Sequence, residues 1–194
     1  MNTGKLKKFI LGKLETELSD NLTYHGVLHT MHVLKSCNQY INRMHIGAAD
    51  AYLLRTAAIM HDTGFIWNFE NHEEESIKYT KVLLPRWNYT KVEIEQIVGM
   101  IKATIIPQTP LNVLEQILAD SDLDYLGTDL FYKIGNKLYS ELLTYNKIST
   151  DEEWDRLQVR FLQNHHFHTP FAKKHREPVK QKNSNEILKK WGWL

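Results

Sequence analysis

A single cysteine, Cys37, is all the thiol chemistry available in 194 residues. One thiol excludes a disulfide within the chain and a cysteine-built zinc site, and it fits a reducing compartment. Net charge is almost absent as well: 24 Lys and Arg face 23 Asp and Glu. No global field then draws the chain to nucleic acid or to a membrane surface. No apolar run approaches the ~18 residues of a membrane span. The basic N-terminal stretch MNTGKLKKFILGKLETELSD holds only a short apolar patch, too brief for a signal-peptide core. Sustained alternation, a Gly-rich phosphate loop and internal repeats are all missing. The expectation is a soluble, cytoplasmic protein with one sizeable core.

What is present is helical periodicity. Leu6, Phe9 or Ile10, Leu14 and Leu18 form one stripe, and Val27, Leu28, Met31, Tyr40, Ile41 and Met44 follow in the next segment. Residues 48–62 are rich in Ala and Leu, and NHEEESIKYTKVLLPRW is amphipathic up to Pro85. Thr90 is a natural N-cap for TKVEIEQIVGMIKAT. Helical patterns continue through 111–127, 128–145 and 150–164, and a last helix is expected over Ser184–Lys190. The pattern predicts an all-α fold of about eight or nine helices. Residues 1–194 read as a single domain, with a motif-bearing core over about 22–130 and a helical extension over 131–194.

Against this background, a few side chains stand out for their chemistry. AAIMHDTGF ends a buried-looking helix on His61 and Asp62, two groups able to bind a metal. Upstream, YHGVLHT places His25 and His29 one turn apart on one helix face. Downstream, LADSDLDYLG embeds Asp120, Asp122 and Asp124 among apolar residues. A core-facing carboxylate is costly unless it is paired or bound to a cation. Asp120 and Asp122 point to opposite sides, so one of them at most reaches a given ion. Two imidazoles and two carboxylates form a mixed N/O donor set that suits a divalent Mn, Mg, Fe, Co, Ni or Zn ion.

The ordered signature His, His-Asp, Asp resembles the HD-domain superfamily of metal-dependent phosphohydrolases, which are all-helical. The pieces that carry the resemblance are YHGVLHT, AAIMHDTGF and LADSDLDYLG, with NHEEES, IKAT and FLQNHHFHT as further similarities. Together they span roughly residues 22–185. The resemblance implies one divalent ion held by His29, His61, Asp62 and either Asp120 or Asp122, with Asp120 favoured. It makes His25 a proton donor and places His72 and Glu73 at the site. Gly64 is expected to end the helix in a left-handed conformation, so that both His61 and Asp62 face one ion. IVGMIKAT ends on Thr104 without the imidazole that a second metal needs, which disfavours a dinuclear, oxygenase-like centre. Arg160 is the candidate for holding a phosphate, since the guanidinium fork matches phosphate oxygens. His165, His166, His168 and His175 form a His-rich tract, and the five Trp residues read as packing groups.

The implied activity is hydrolysis of a nucleotide or a related small phosphate ester through metal-activated water. The alternative is a sensor on the same fold that binds a nucleotide or a partner, keeps the metal and turns over little. Neither reading calls for a nucleic-acid or membrane partner. The oligomeric state is not legible in the pattern.

Overall fold

The computed structural model describes residues 3–194 and contains no strand among them. Its helices are α1 (Thr3–Glu17), α2 (Val27–Arg43), α3 (Ala48–Met60), α4 (His72–Leu83) and α5 (Lys91–Lys102). They continue with α6 (Val113–Asp122), α7 (Phe131–Thr144), α8 (Asp151–Asn164), α9 (Pro170–His175) and α10 (Glu177–Trp191). Single 3-10 turns over Thr63–Ile66, Leu84–Trp87 and Asp124–Gly127 follow α3, α4 and α6.

The core is built around α3. Its Leu54, Ala57, Ala58 and Met60 are fully buried, because α2, α5, α6 and α1 all pack on it. A helix covered on every side needs small residues where its neighbours approach, hence the Ala-rich sequence. Thr90 caps α5 in a reciprocal capping box with Glu93, as its position suggested.

The all-α expectation holds, but the described residues form ten α-helices. The difference lies in the C-terminal region. Thr169 caps α9 by accepting from the Ala172 amide, and Pro170 occupies the first turn. α10 begins at Glu177 with Pro178 in its first turn, well ahead of the expected Ser184. Proline has its φ already set for a first helical turn and lacks only an N–H that would be unpaired there. The segment expected over 111–127 also divides: α6 stops at Asp122, and a 3-10 turn carries the chain on to Gly127.

Two polar links hold the C-terminal helices, one to the turn after α6 and one to the end of α8. Asp124 accepts from the Tyr40 hydroxyl at 2.9 Å and from Arg176 Nε at 2.7 Å. Gly127 lets the backbone at Arg176 come close, since a Cβ there would lie 2.5 Å from the Arg176 carbonyl oxygen. The second link is Lys180, a fully buried residue in a Lys-rich stretch. Its ammonium donates to the His165 carbonyl and pairs with Glu177 at 2.9 Å.

Burial, reinforced by the Lys180 charge, pushes His165 down to about 3. An unfolded chain protonates this imidazole near pH 6.5, whereas the folded chain resists doing so until about pH 3. Between those values the unfolded state binds more protons, so stability falls as pH falls. His165→Gln is expected to remove up to about 1.4 kcal/mol per pH unit of that slope. Urea midpoints of both proteins between pH 6.5 and 4 measure it, and identical slopes would contradict it.

Candidate metal centre

The centre forms where three helix ends meet. His29 sits in the first turn of α2, and His61 directly follows the last residue of α3. Asp62 comes next, with a backbone already out of the helix at φ −106° and ψ 9°. Asp122 is the last residue of α6. That change of conformation after His61 is what lets adjacent residues aim at one point, since consecutive helical positions diverge by about 100°.

The four side chains converge closely. His29 Nε2 lies 3.1 Å from Asp62 Oδ2, 3.1 Å from Asp122 Oδ1 and 3.3 Å from His61 Nε2. His61 Nε2 lies 3.2 Å from Asp62 Oδ2 and 3.4 Å from Asp122 Oδ1. His61 Nδ1 donates to the Ala58 carbonyl at 3.0 Å, which fixes the ring and turns the Nε2 lone pair inward. Asp62 Oδ2 is buried 3.1 and 3.2 Å from the Nε2 atoms of His29 and His61, without a well-directed hydrogen bond. An orphaned carboxylate oxygen among ligand-type atoms is what a cation site leaves when the ion is taken away. The residues therefore fit a divalent metal.

The electrostatics say the same. Burial works against charge on His29, yet Asp122 and Asp62 overcome it and lift the imidazole to about 9. His61 is likewise raised despite its burial, chiefly by Asp62. The two imidazoles in turn hold Asp62 and Asp122 below the usual carboxylate range. The cluster demands positive charge at its middle, and protons supply it when no cation does.

Gly64 departs from expectation. The described residues include one glycine with positive φ, Gly192, and Gly64 lies in the 3-10 turn instead. Its role is close approach: a Cβ there would sit 1.8 Å from the His72 carbonyl oxygen. Its amide donates to Ser76 Oγ at 2.8 Å, which seats the start of α4 against the His61-Asp62 corner. That seating brings His72 Nε2 to 3.7 Å from Asp62 Oδ1 and 3.4 Å from Glu73 Oε1. The Phe65 ring stacks on both His72 and His25, at 3.8 Å and 4.1 Å between centroids.

His25 has a partner that the sequence did not disclose. Glu141, fully buried on α7, accepts from the amides of Tyr24 and His25 at 2.8 Å and 3.0 Å. Its second oxygen meets His25 Nδ1. Burial raises the carboxylate, but these hydrogen bonds bring it below its ordinary value. One signal was available: Glu141 continues the core stripe of Phe131, Ile134 and Leu138 at helical spacing.

Two expected residues lie elsewhere. Asp120, the favoured aspartate, accepts from the amides of His168 and Thr169 at 2.8 Å each. Positions two apart on a helix point about 200° from one another, so α6 sends Asp122 to the cluster and Asp120 to the start of α9. Burial pushes the Asp120 carboxyl up to about 6 against those amide bonds. Arg160 is exposed on α8 and lines neither of the cavities beside the cluster.

No protein-family model matches the sequence, and no curated protein does. Among solved structures, the chain is similar to a predicted HD superfamily hydrolase from an uncultured Thermotogales bacterium, with a TM-score of 0.63. The likeness covers 98% of this chain and 99% of that one at 20% identity. It establishes a shared fold over the whole length. No helix among the described residues is long and apolar enough to cross a membrane.

Because raised imidazoles hold protons that a metal must displace, metal uptake should release protons near pH 7 and weaken as pH falls. Calorimetric titration with Mn²⁺ in buffers of different ionisation enthalpy counts them. Release of more than one proton per ion is expected, and none would contradict the charge balance described.

Proposed function

We propose that this chain, with the HD-type fold and a His29–His61–Asp62–Asp122 cluster, is a metal-dependent phosphohydrolase of small phosphate esters. The observation that carries the reading is the buried Asp62 carboxylate amid converging ligand atoms, beside His25, which lines the same cavity and is held from behind by Glu141. His29, His61, Asp62 and Asp122 hold one divalent ion. When bound, such an ion lowers the pKa of water and polarises a phosphoryl oxygen.

The remaining roles fall to the chain's own groups. Glu141 anchors His25 through Nδ1, which leaves Nε2 to hand a proton to the leaving oxygen. Phe65 keeps the rings of His25 and His72 in place by stacking. His72 and Glu73 line the same cavity as His25 and Asp62. His72 Nδ1 donates to the Phe69 carbonyl at 3.3 Å, which orients the ring with Nε2 toward Asp62 Oδ1 and Glu73 Oε1. Arg160, exposed on α8, has no part in this scheme. The nucleotide form of the substrate rests on the sequence resemblance.

Metal-stripped protein, given back Mn, Mg, Fe, Co, Ni or Zn one at a time, tests this on a panel of phosphate monoesters and nucleotides. Phosphate release is expected only with metal. His25→Ala should lower kcat by about 10²–10⁴ with the metal retained, and Glu141→Gln should lower it less. A metal-loaded protein that releases nothing from any member would instead support the sensor reading.

A further inference from the structure

The cavity at the centre is apolar to an extent that a nucleotide does not require. It measures about 240 Å³ and runs from His25, Asp62, His72 and Asp122 into the space between α7, α8 and the turn after α6. Its deep wall is made by Leu126, Phe131, Leu138, Leu142, Trp154 and Phe161. Beyond the metal centre and its His, Glu and Tyr neighbours, the polar side chains that line it are Thr104 and Gln158. Thr104 donates to the Ile101 carbonyl and Gln158 to Asp155. Neither Lys nor Arg lines it. A nucleobase or a second phosphate placed there would exchange water for few polar partners, chiefly Thr104 and Gln158, and for no cation.

The cations lie on the other side. Lys35, Lys133 and Lys137, with Arg176 already paired to Asp124 and with Asp129, line a separate groove that shares Tyr24, Asp122 and Tyr125 with the apolar cavity. Charge therefore gathers on one side of the metal centre and hydrocarbon on the other. An apolar cavity of ~150 Å³ suffices for benzene, so this one has room for an aryl group or a chain of several carbons.

We propose, resting on the phosphohydrolase reading, that the substrate is a phosphate monoester whose organic half is an apolar alkyl or aryl group. That half fills the cavity between α7 and α8, and the phosphoryl group meets the metal centre. The ester oxygen then lies next to His25, and the cavity selects for the leaving alcohol.

Calorimetric binding of methyl, butyl, hexyl and octyl phosphate and of adenosine monophosphate to the Mn²⁺-loaded full chain tests this, with phosphate release followed in parallel. Affinity should rise about threefold to fourfold per added methylene until the cavity is full, and adenosine monophosphate should bind more weakly than hexyl phosphate. Leu142→Trp, which fills the cavity, should flatten the dependence. Leu157→Asp, at an exposed position of the same wall, should weaken it without touching the core. Affinity independent of chain length, tighter binding of adenosine monophosphate, or an unchanged dependence in both folded variants would overturn the proposal. Length-dependent binding with no phosphate released from any ester would overturn the phosphohydrolase reading and leave the apolar site standing.

Discussion

Everything at the centre of this molecule follows from one electrostatic constraint. Two buried imidazoles each lie 3.1–3.4 Å from both of two carboxylates, in a place that water hardly reaches. Such a group is tolerable only with positive charge between its members. Protons on His29 and His61 meet the requirement without metal, and a divalent cation meets it with better geometry and leaves no oxygen orphaned. The same balance explains why the polar groups nearby are committed elsewhere: His61 Nδ1 to Ala58, and Glu141 to His25.

The fold serves this constraint by ending helices there. α3 stops at Met60, so that His61 and Asp62 share a target, and α6 stops just as Asp122 reaches it. Gly64 lets α4 press against the corner, which carries His72 toward Asp62. α7 and α8 then close over the far side, with hydrocarbon facing inward and Gln158 as the polar exception, while Glu141 lies buried behind His25. The His–Asp cluster thus borders an apolar cavity, an arrangement that strengthens electrostatic interactions by excluding water.

The sequence disclosed the parts whose signal is local. Helical period, the Thr90 cap and the order His29, His61-Asp62, Asp were all visible without coordinates. What escaped depends on tertiary direction. Asp120 and Asp122 sit in the same apolar context, and only the orientation of α6 decides which one turns inward. Gly64 carries a mark typical of a helix terminus, yet the need for it comes from the His72 carbonyl, a contact between elements. Glu141 has no chemical partner in its own stretch of sequence, and its task is set by the loop carrying Tyr24 and His25 that lies against it. Lys180 is one of several basic residues in its stretch, and nothing local marks it for burial, which relies on the His165 carbonyl and Glu177 being in place.

The most direct measurement is metal content per chain, by elemental analysis after dialysis, for the parent protein and for Asp122→Asn and Asp120→Asn. One divalent ion per parent chain is expected. It should be lost or bound at least 10-fold more weakly in Asp122→Asn. It should be retained in Asp120→Asn, which would instead lower the melting temperature by loosening the start of α9. A folded Asp120→Asn that loses its metal while Asp122→Asn keeps it would contradict the account.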